Sequence, residues 1–223
     1  MSPAPLTVDV YVAPMRPFAG AAGQGEGDKP MWSPMSSTLI AGAEEGILVD
    51  TLVTLDQVEA SFPGELPETP VLPEVLDGEE YELEGQVLRV VSVGQGDTEF
   101  STVLHVPSAA AVVGGDVVYN GVHMMTAETD EKSREAWIAS LDAVAALNPQ
   151  IVVAGHKSVG APDLPESIGA SQRYLSDFTR IVGQGGSVQE VVNAMLELHG
   201  DRDNPRTLWH SARTAVAKRD QAG

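Results

Sequence analysis

The first half of the sequence is a succession of short apolar runs separated by turn residues. Eight of these runs are predicted as strands, at 8–12, 37–41, 46–50, 81–83, 87–93, 101–106, 110–113 and 117–119. Turn residues predict two hairpins: a longer turn at 43–46 joins the second and third strands, and Glu84-Gly85-Gln86 joins the fourth and fifth. The remaining segments are predicted as a glycine-rich loop at 20–29, a short helix at 54–60 and a proline-rich extended connection at 62–73.

The second half changes to helical spacing. Trp137, Leu141, Val144 and Ala145 fall on one face of a predicted helix that ends at Asn148-Pro149. A buried strand at 151–153 precedes a second helix with apolar positions from 168 to 182. A capping box of Ser187 and Glu190 opens a third helix, and the polar tail after Ala215 is predicted to fray. Strands early and helices late predict an α+β fold in which helices cover the faces of sheets.

Composition and charge restrict the classes of partner. The chain has 223 residues, is 43% hydrophobic and carries 13 basic against 32 acidic residues, a formal charge of −19. This length predicts one domain over residues 1–223, with an ordered core at about 6–215. Because phosphate contacts need clustered Lys and Arg, we expect no nucleic-acid partner. A solvated acidic surface explains the charge.

The absence of cysteine excludes disulfides, thiolate ligands and a thiol nucleophile. No apolar run reaches the roughly 18 residues that span a membrane, and the N-terminus has no secretory pattern. We therefore expect no membrane partner and a cytoplasmic location.

Two strand ends carry the clearest candidate chemistry. The apolar run at 111–113 is followed by two glycines and Asp116, and the run at 151–153 leads to Gly155 and His156. One helix-length stretch separates the two runs, so parallel strands would bring their ends side by side. Imidazole and carboxylate are common metal ligands. The alternative for Asp116 is a buried carboxylate with backbone partners, and for His156 a structural histidine.

Three further residues have both a functional and a structural interpretation. Asp50 leaves a predicted strand and either orients neighbouring groups or closes a turn. Gln95 lies between two glycines and could contact a substrate, or coordinate a metal weakly, while Asp97 is assigned to the turn itself. His123 follows an Asn120-Gly121 turn and lines the site or belongs to a loop.

The order of these segments resembles the metallo-β-lactamase-fold hydrolases. The segments that carry the resemblance lie between residues 8 and 178, at 37–40, 47–50, 94–98, 101–107, 114–120 and 152–156. The resemblance implies an αββα sandwich with a site at the strand ends along one edge. It also implies two metal ions, commonly zinc, that activate a water for attack on an ester, amide, thioester or phosphoester.

Position by position, the resemblance implies specific roles. Asp116 corresponds to the carboxylate that bridges the metals, and His156 corresponds to the last histidine ligand. Asp50 corresponds to an aspartate that braces the ligands, and Gln95 falls where a histidine ligand usually stands. No catalytic residue beyond the ligands is assigned.

The sequence departs from the family in one large respect. The family's His-x-His-x-Asp-His motif belongs between Asp50 and Gln95, and this interval contains no histidine. The chain reads as a sandwich truncated by roughly sixty residues, a block the size of a strand and helix unit. A two-metal site needs about five or six protein ligands. Two functions therefore stay open: an impaired zinc hydrolase of a small molecule, or an inactive protein that binds a small molecule or a protein partner. The exposed sheet edge left by such a loss would favour a homo-oligomer.

Overall fold

The computed structural model describes residues 5–15, 32–50 and 78–222. The elements predicted at 20–29, 54–60 and 62–73 lie outside these ranges. Ten strands are formed within them: β1 (Thr7–Ala13), β2 (Met35–Ala41), β3 (Gly46–Val49), β4 (Glu80–Leu83), β5 (Gln86–Gly94), β6 (Ser101–Val106), β7 (Ala111–Val113), β8 (Tyr119–Asn120), β9 (Ile151–Val153) and β10 (His156–Lys157).

The strands form two main sheets and a small parallel pair. The first sheet has the order β1-β2-β3, and the second has the order β4-β5-β6-β7-β9. Neighbours are antiparallel in both sheets, except that β7 and β9 run parallel. Strands β8 and β10 form the parallel pair. Both predicted hairpins, β2–β3 and β4–β5, are confirmed.

Four helices complete the described fold: α1 (Glu131–Ala146), α2 (Glu166–Gly183), α3 (Val188–His199) and α4 (Pro205–Ala222). The predicted end of α1 is confirmed, because Asn148 takes a left-handed φ of 54° before Pro149. The predicted capping box of α3 is also present, with Ser187 and Glu190 each satisfying a backbone N–H of the other. No described helix is long and apolar enough to cross a membrane.

The five-stranded sheet has apolar residues on both faces. Val112 and Val152 pack in one core with apolar residues from all four described helices. Their neighbours Val113 and Val153 face the opposite way and pack against Ile40 of the three-stranded sheet. This alternation follows from the two-residue period of a strand. The predicted α+β sandwich is therefore confirmed.

Two sequence predictions are wrong. Residues 117–119 do not form a strand, because Gly115 takes a φ of 48° and a short 3-10 helix (Gly115–Val117) delays the strand to Tyr119. The chain beyond Ala215 does not fray in the structure but continues α4 to Ala222. Lys218 donates to the carbonyl of Ala127, and Arg219 donates to the carbonyls of Val182 and Gly186, so the last turns are held against the core.

Candidate functional site

The parallel pairing of β7 and β9 brings the two candidate strand ends together. Val113 pairs with Val153, and the Gly114 amide donates to the Val153 carbonyl at 2.8 Å. One step further, the Gly155 amide donates to the Gly115 carbonyl at 2.9 Å. As a result, Asp116 and His156 lie side by side at the edge of the sheet.

Gly155 is the residue that permits this close approach. A Cβ atom at this position would lie 2.5 Å from the backbone carbon of Gly115 and 2.7 Å from Asp116 Oδ1. Both are part of the strand end that carries Asp116, so they have little freedom to move. The glycine before His156 is thus required by packing of the backbone.

His156 is held by three neighbours. Its Nδ1 lies 2.9 Å from the carbonyl oxygen of Pro34, and its ring stacks on Tyr119 with 5.3 Å between the ring centroids. Its Nε2 lies 3.3 Å from Asp116 Oδ1. Because a carbonyl can only accept, Nδ1 carries a proton, and this contact turns Nε2 toward the Asp116 carboxylate.

Two more carboxylates crowd this strand edge. Burial, together with the charge of Asp116 and against the opposing effect of His156, raises the pKa of Asp97 to about 6. Desolvation also raises the pKa of Asp50, again with a contribution from Asp116 and against His156. Asp50 Oδ2 lies 3.8 Å from the position of a Cβ at Gly115. The edge therefore concentrates negative charge around one imidazole.

The donor set at this edge falls short of a zinc site. Ligand bonds of about 2.0–2.2 Å in a tetrahedral site put neighbouring ligand atoms about 3.4 Å apart, which matches the pair of Asp116 and His156. A catalytic zinc takes about three protein ligands. Within 5–15, 32–50 and 78–222, no group of three or more His, Asp or Glu side chains is placed to hold a metal, and residues 51–77 contain no histidine. The described residues therefore offer two donors and do not fit a complete zinc centre.

Gln95 and Asp97 lie in one loop but border different cavities. Gln95 Nε2 donates to the Gly96 carbonyl at 3.1 Å, and its backbone amide donates to Ser140. Gln95 lines a neighbouring cavity, whereas Asp97 borders both that cavity and the one beside His156. Two glycines shape this loop: Gly94 has a φ of 101°, and a Cβ at Gly96 would lie 2.5 Å from Ser101 Oγ.

A cavity of about 720 Å³ opens beside His156. Asp97, Tyr119, His123 and His156 form one wall, and residues of α4 form the other. Apolar surface comes from Met125 and two tryptophans, Trp32 and Trp209. The cavity therefore joins acidic, aromatic and basic groups of the described residues in one concave surface. Its size is that of cavities that bind small molecules. We refer to it as the site cavity.

His123, which the sequence left open between site and loop, lines the site cavity and is fully buried. Its Nδ1 lies 3.1 Å from the Tyr174 hydroxyl. Burial, assisted by the charges of Arg202 and His199, lowers the pKa of His123 to about 4, so the ring is neutral near pH 7.

Several buried polar atoms of this wall have no partner. In the described part of the chain, five buried side-chain N or O atoms make no hydrogen bond, and three of them belong to residues of the site cavity. The three are Ser33 Oγ, the Tyr119 hydroxyl and His123 Nε2. The Tyr119 hydroxyl lies near the Asp97 carboxylate and the Met125 backbone, and each of the three atoms is almost fully buried. This side of the cavity therefore contains polar groups with unused hydrogen-bonding capacity.

The α4 wall was absent from the sequence predictions. Arg206, Trp209, His210 and Arg213 follow the i, i+3, i+4, i+7 spacing of one helix face and all line the site cavity. The available signal was this spacing together with a local excess of basic residues in an acidic chain. The sequence predictions assigned no helix to residues 205–222.

Comparison with known proteins gives the fold. No protein-family model matches the sequence, and no curated protein matches it. The metallo-β-lactamase FIM-1 from Pseudomonas aeruginosa, in a mono-zinc form, is similar in structure with a TM-score of 0.54 and 16% identity over 79% of this chain and 97% of that chain. VMB-1 is similar with a TM-score of 0.53 and 15% identity over 77% of this chain and 97% of that one.

A metallo-β-lactamase family protein from Thermus thermophilus aligns with a TM-score of 0.45 and 20% identity over 70% of this chain. The chain spans 51%, about half, of the length of that protein. The likeness to FIM-1 and VMB-1 agrees with the order of motifs in the sequence and with the two-sheet architecture. The chain has the metallo-β-lactamase fold.

Proposed function

We propose that the protein binds a small organic molecule in the site cavity and that its capacity for hydrolysis is impaired by missing metal ligands. The observation that carries the proposal is the site cavity itself, whose volume of about 720 Å³ is bordered by the strand edge with His156, by the apolar surface of Met125 and by basic side chains of α4. Cavities of this size and mixed lining hold small organic molecules, with apolar surface supplying affinity and a few polar groups fixing the orientation.

The impairment follows from the number of ligands. The site keeps one histidine and one close carboxylate, Asp116, and the sequence has no histidine before His105. Among the described residues, no other histidine or carboxylate joins the pair in a group of three that could hold a metal. Two of the other histidines have partners elsewhere: His123 is hydrogen-bonded to Tyr174, and His199 lies 3.1 Å from Asp177. Without a third ligand, a zinc ion would be held weakly, and hydrolysis by this fold depends on a firmly held, metal-bound water.

Zinc-dependent hydrolysis of an ester-type or amide-type bond is the second candidate. One observation favours it: Pro34 anchors Nδ1 of His156 and turns Nε2 toward Asp116 at the ligand-to-ligand distance of a tetrahedral site. The likeness to FIM-1, which is named as a metallo-β-lactamase with one zinc, points the same way.

Binding and turnover should be measured on the same purified protein. The neutral fluorophore N-phenyl-1-naphthylamine is the binding probe, and 4-nitrophenyl acetate and a chromogenic cephalosporin are the substrates. We expect saturable binding of the probe that is weakened by Met125→Gln, which places a polar side chain on the cavity wall, and no zinc-dependent turnover. Phe100→Ala is the matched control, because Phe100 is 89% exposed outside the cavity and could bind the probe nonspecifically.

Equal probe binding by wild type and Met125→Gln would reject the cavity as the binding site. Turnover that requires zinc and is lost in His156→Ala would instead establish the second candidate.

A further inference from the structure

We infer that the α4 wall of the site cavity binds an anionic oxygen group, so that the ligand is an apolar or aromatic acid. The inference rests on the proposed function, because it assigns the class of molecule that the site cavity takes. It is carried by the charge, spacing and exposure of residues on α4, none of which belongs to the strand edge with Asp116 and His156.

The basic groups of the wall share one helix face. Arg206, His210 and Arg213 are separated by four and three residues, the spacing that stacks side chains on successive turns. All three are exposed, and all three line the site cavity. Their polar groups are therefore accessible to a molecule inside it. Arginine is suited to such a role because its guanidinium binds oxyanions through two parallel hydrogen bonds.

The charge of α4 is opposite to that of the whole chain. Helix α4 contains four of the 13 basic residues and one of the 32 acidic residues. The last two of the four, Lys218 and Arg219, are engaged by backbone carbonyls. The first two, Arg206 and Arg213, line the site cavity. A cationic wall in a chain of net charge −19 is thus local and directed into the cavity.

Arg213 is the best placed of these groups to bind a ligand. No carboxylate in the described ranges forms an ion pair with Arg213. The carboxylate that does line the site cavity, Asp97, lies on the wall with His156. The two walls therefore orient an acid: its anionic group lies at α4, and its remainder points toward the strand edge.

The space between the two walls suits an apolar body. Trp209 lies on the same face of α4 as His210 and Arg213, and Met125 and Trp32 add further apolar surface. A volume of about 720 Å³ accommodates a molecule with one or two rings and a charged group. Aromatic rings and guanidinium groups also stack on one another, which favours a planar ligand at this wall.

A pair of probes that differ in one group tests this inference. 8-Anilino-1-naphthalenesulfonate and N-phenyl-1-naphthylamine share the same rings, and the first carries an added sulfonate. Fluorescence titration of the full chain should show tighter binding of the sulfonate. In Arg213→Gln, the affinity for the sulfonate should fall about tenfold, the loss expected for one charge-assisted hydrogen bond, while the affinity for the neutral amine is unchanged.

Arg89→Gln is the matched control. It removes the same charge from an exposed arginine that pairs with Glu80 and does not line the site cavity. We expect its sulfonate affinity to equal that of the wild type. Circular dichroism of each variant establishes that the fold is retained.

The possible failures can be told apart. If both probes bind wild type and Arg213→Gln with unchanged affinities, the anion site is wrong while the proposed cavity stands. If Arg89→Gln weakens the sulfonate as much as Arg213→Gln does, the effect is long-range charge, and the assignment to α4 is also wrong. If neither probe binds the wild type, the proposed function itself fails.

Discussion

His123 should make the stability of the protein depend on pH in a defined window. The ring is fully buried, and burial lowers its pKa from 6.5 to about 4, with Arg202 and His199 assisting and Asp201 and Asp203 opposing. Between these two pKa values the unfolded chain binds a proton that the folded chain does not bind. The free energy of unfolding therefore falls as the pH is lowered through this window, and above it the contribution of His123 vanishes.

The size of the effect follows from the two pKa values. At about pH 5, a histidine with these values destabilises the folded state by about 2 kcal/mol relative to pH 7. His123→Gln removes the titrating group. The variant and the wild type will differ in free energy of unfolding already at pH 7, because the contact with Tyr174 changes. Between pH 7 and pH 5, however, the wild type should lose about 2 kcal/mol more of this free energy than the variant loses.

Urea unfolding at the two pH values measures this shift. His210→Gln is the matched control, because it removes an exposed histidine of the same protein. We expect the control to follow the wild type at both pH values. A wild type and a His123→Gln variant that lose equal stability on acidification would show that His123 is solvated or charged in the folded protein, contrary to its position in the structure.

Three further predictions follow from local geometry. Gly155→Ala should lower the free energy of unfolding by about 1–3 kcal/mol in urea, because its Cβ would meet Gly115 and Asp116. Gly183→Ala, with open space around the new Cβ, is the control and should leave this free energy unchanged. Equal losses in the two variants would contradict the close approach at Gly155. Ser187→Ala should lower the free energy of unfolding by about 1 kcal/mol, because it removes the capping box of α3. Ser176→Ala, on the exposed face of α2, should lower it by less than half as much. No loss in Ser187→Ala would show that the cap is not formed. Arg134→Met should lower the thermal midpoint of unfolding, because the lost guanidinium donates to Thr179 and lies 5.4 Å from the Phe178 ring centroid. Arg180→Met, which replaces a half-exposed arginine, is its control. Equal midpoints in the two variants would contradict a structural role for Arg134.

The sandwich was predictable because its signals are local and mutually consistent. The apolar runs at Ala111–Val113 and Ile151–Val153, with one helix between them, specify two parallel strands, and the structure pairs them in the register that joins Val113 to Val153. The capping box of α3 was equally local, since it depends on two side chains three residues apart.

The site cavity was less predictable, because its walls come from distant parts of the chain. The partner of His156 Nδ1 is the carbonyl of Pro34, which is 122 residues away, and no sequence pattern marks such a contact. Asp97 borders the site cavity and Gln95 does not, in a loop where Gly94 takes a φ of 101° that the sequence pattern does not specify. Helix α4 carries polar and basic residues on its cavity face, which obscures the apolar period of Leu208, Ala212 and Ala215 on its core face.

The central claim is that the metal centre of this fold is incomplete in this chain. Zinc content should be measured by elemental mass spectrometry after dialysis against a micromolar zinc buffer, with His156→Ala as the reference. We expect well under one zinc per chain in the wild type, close to the value in the variant. About two zinc ions per wild-type chain, lost in His156→Ala, would contradict it.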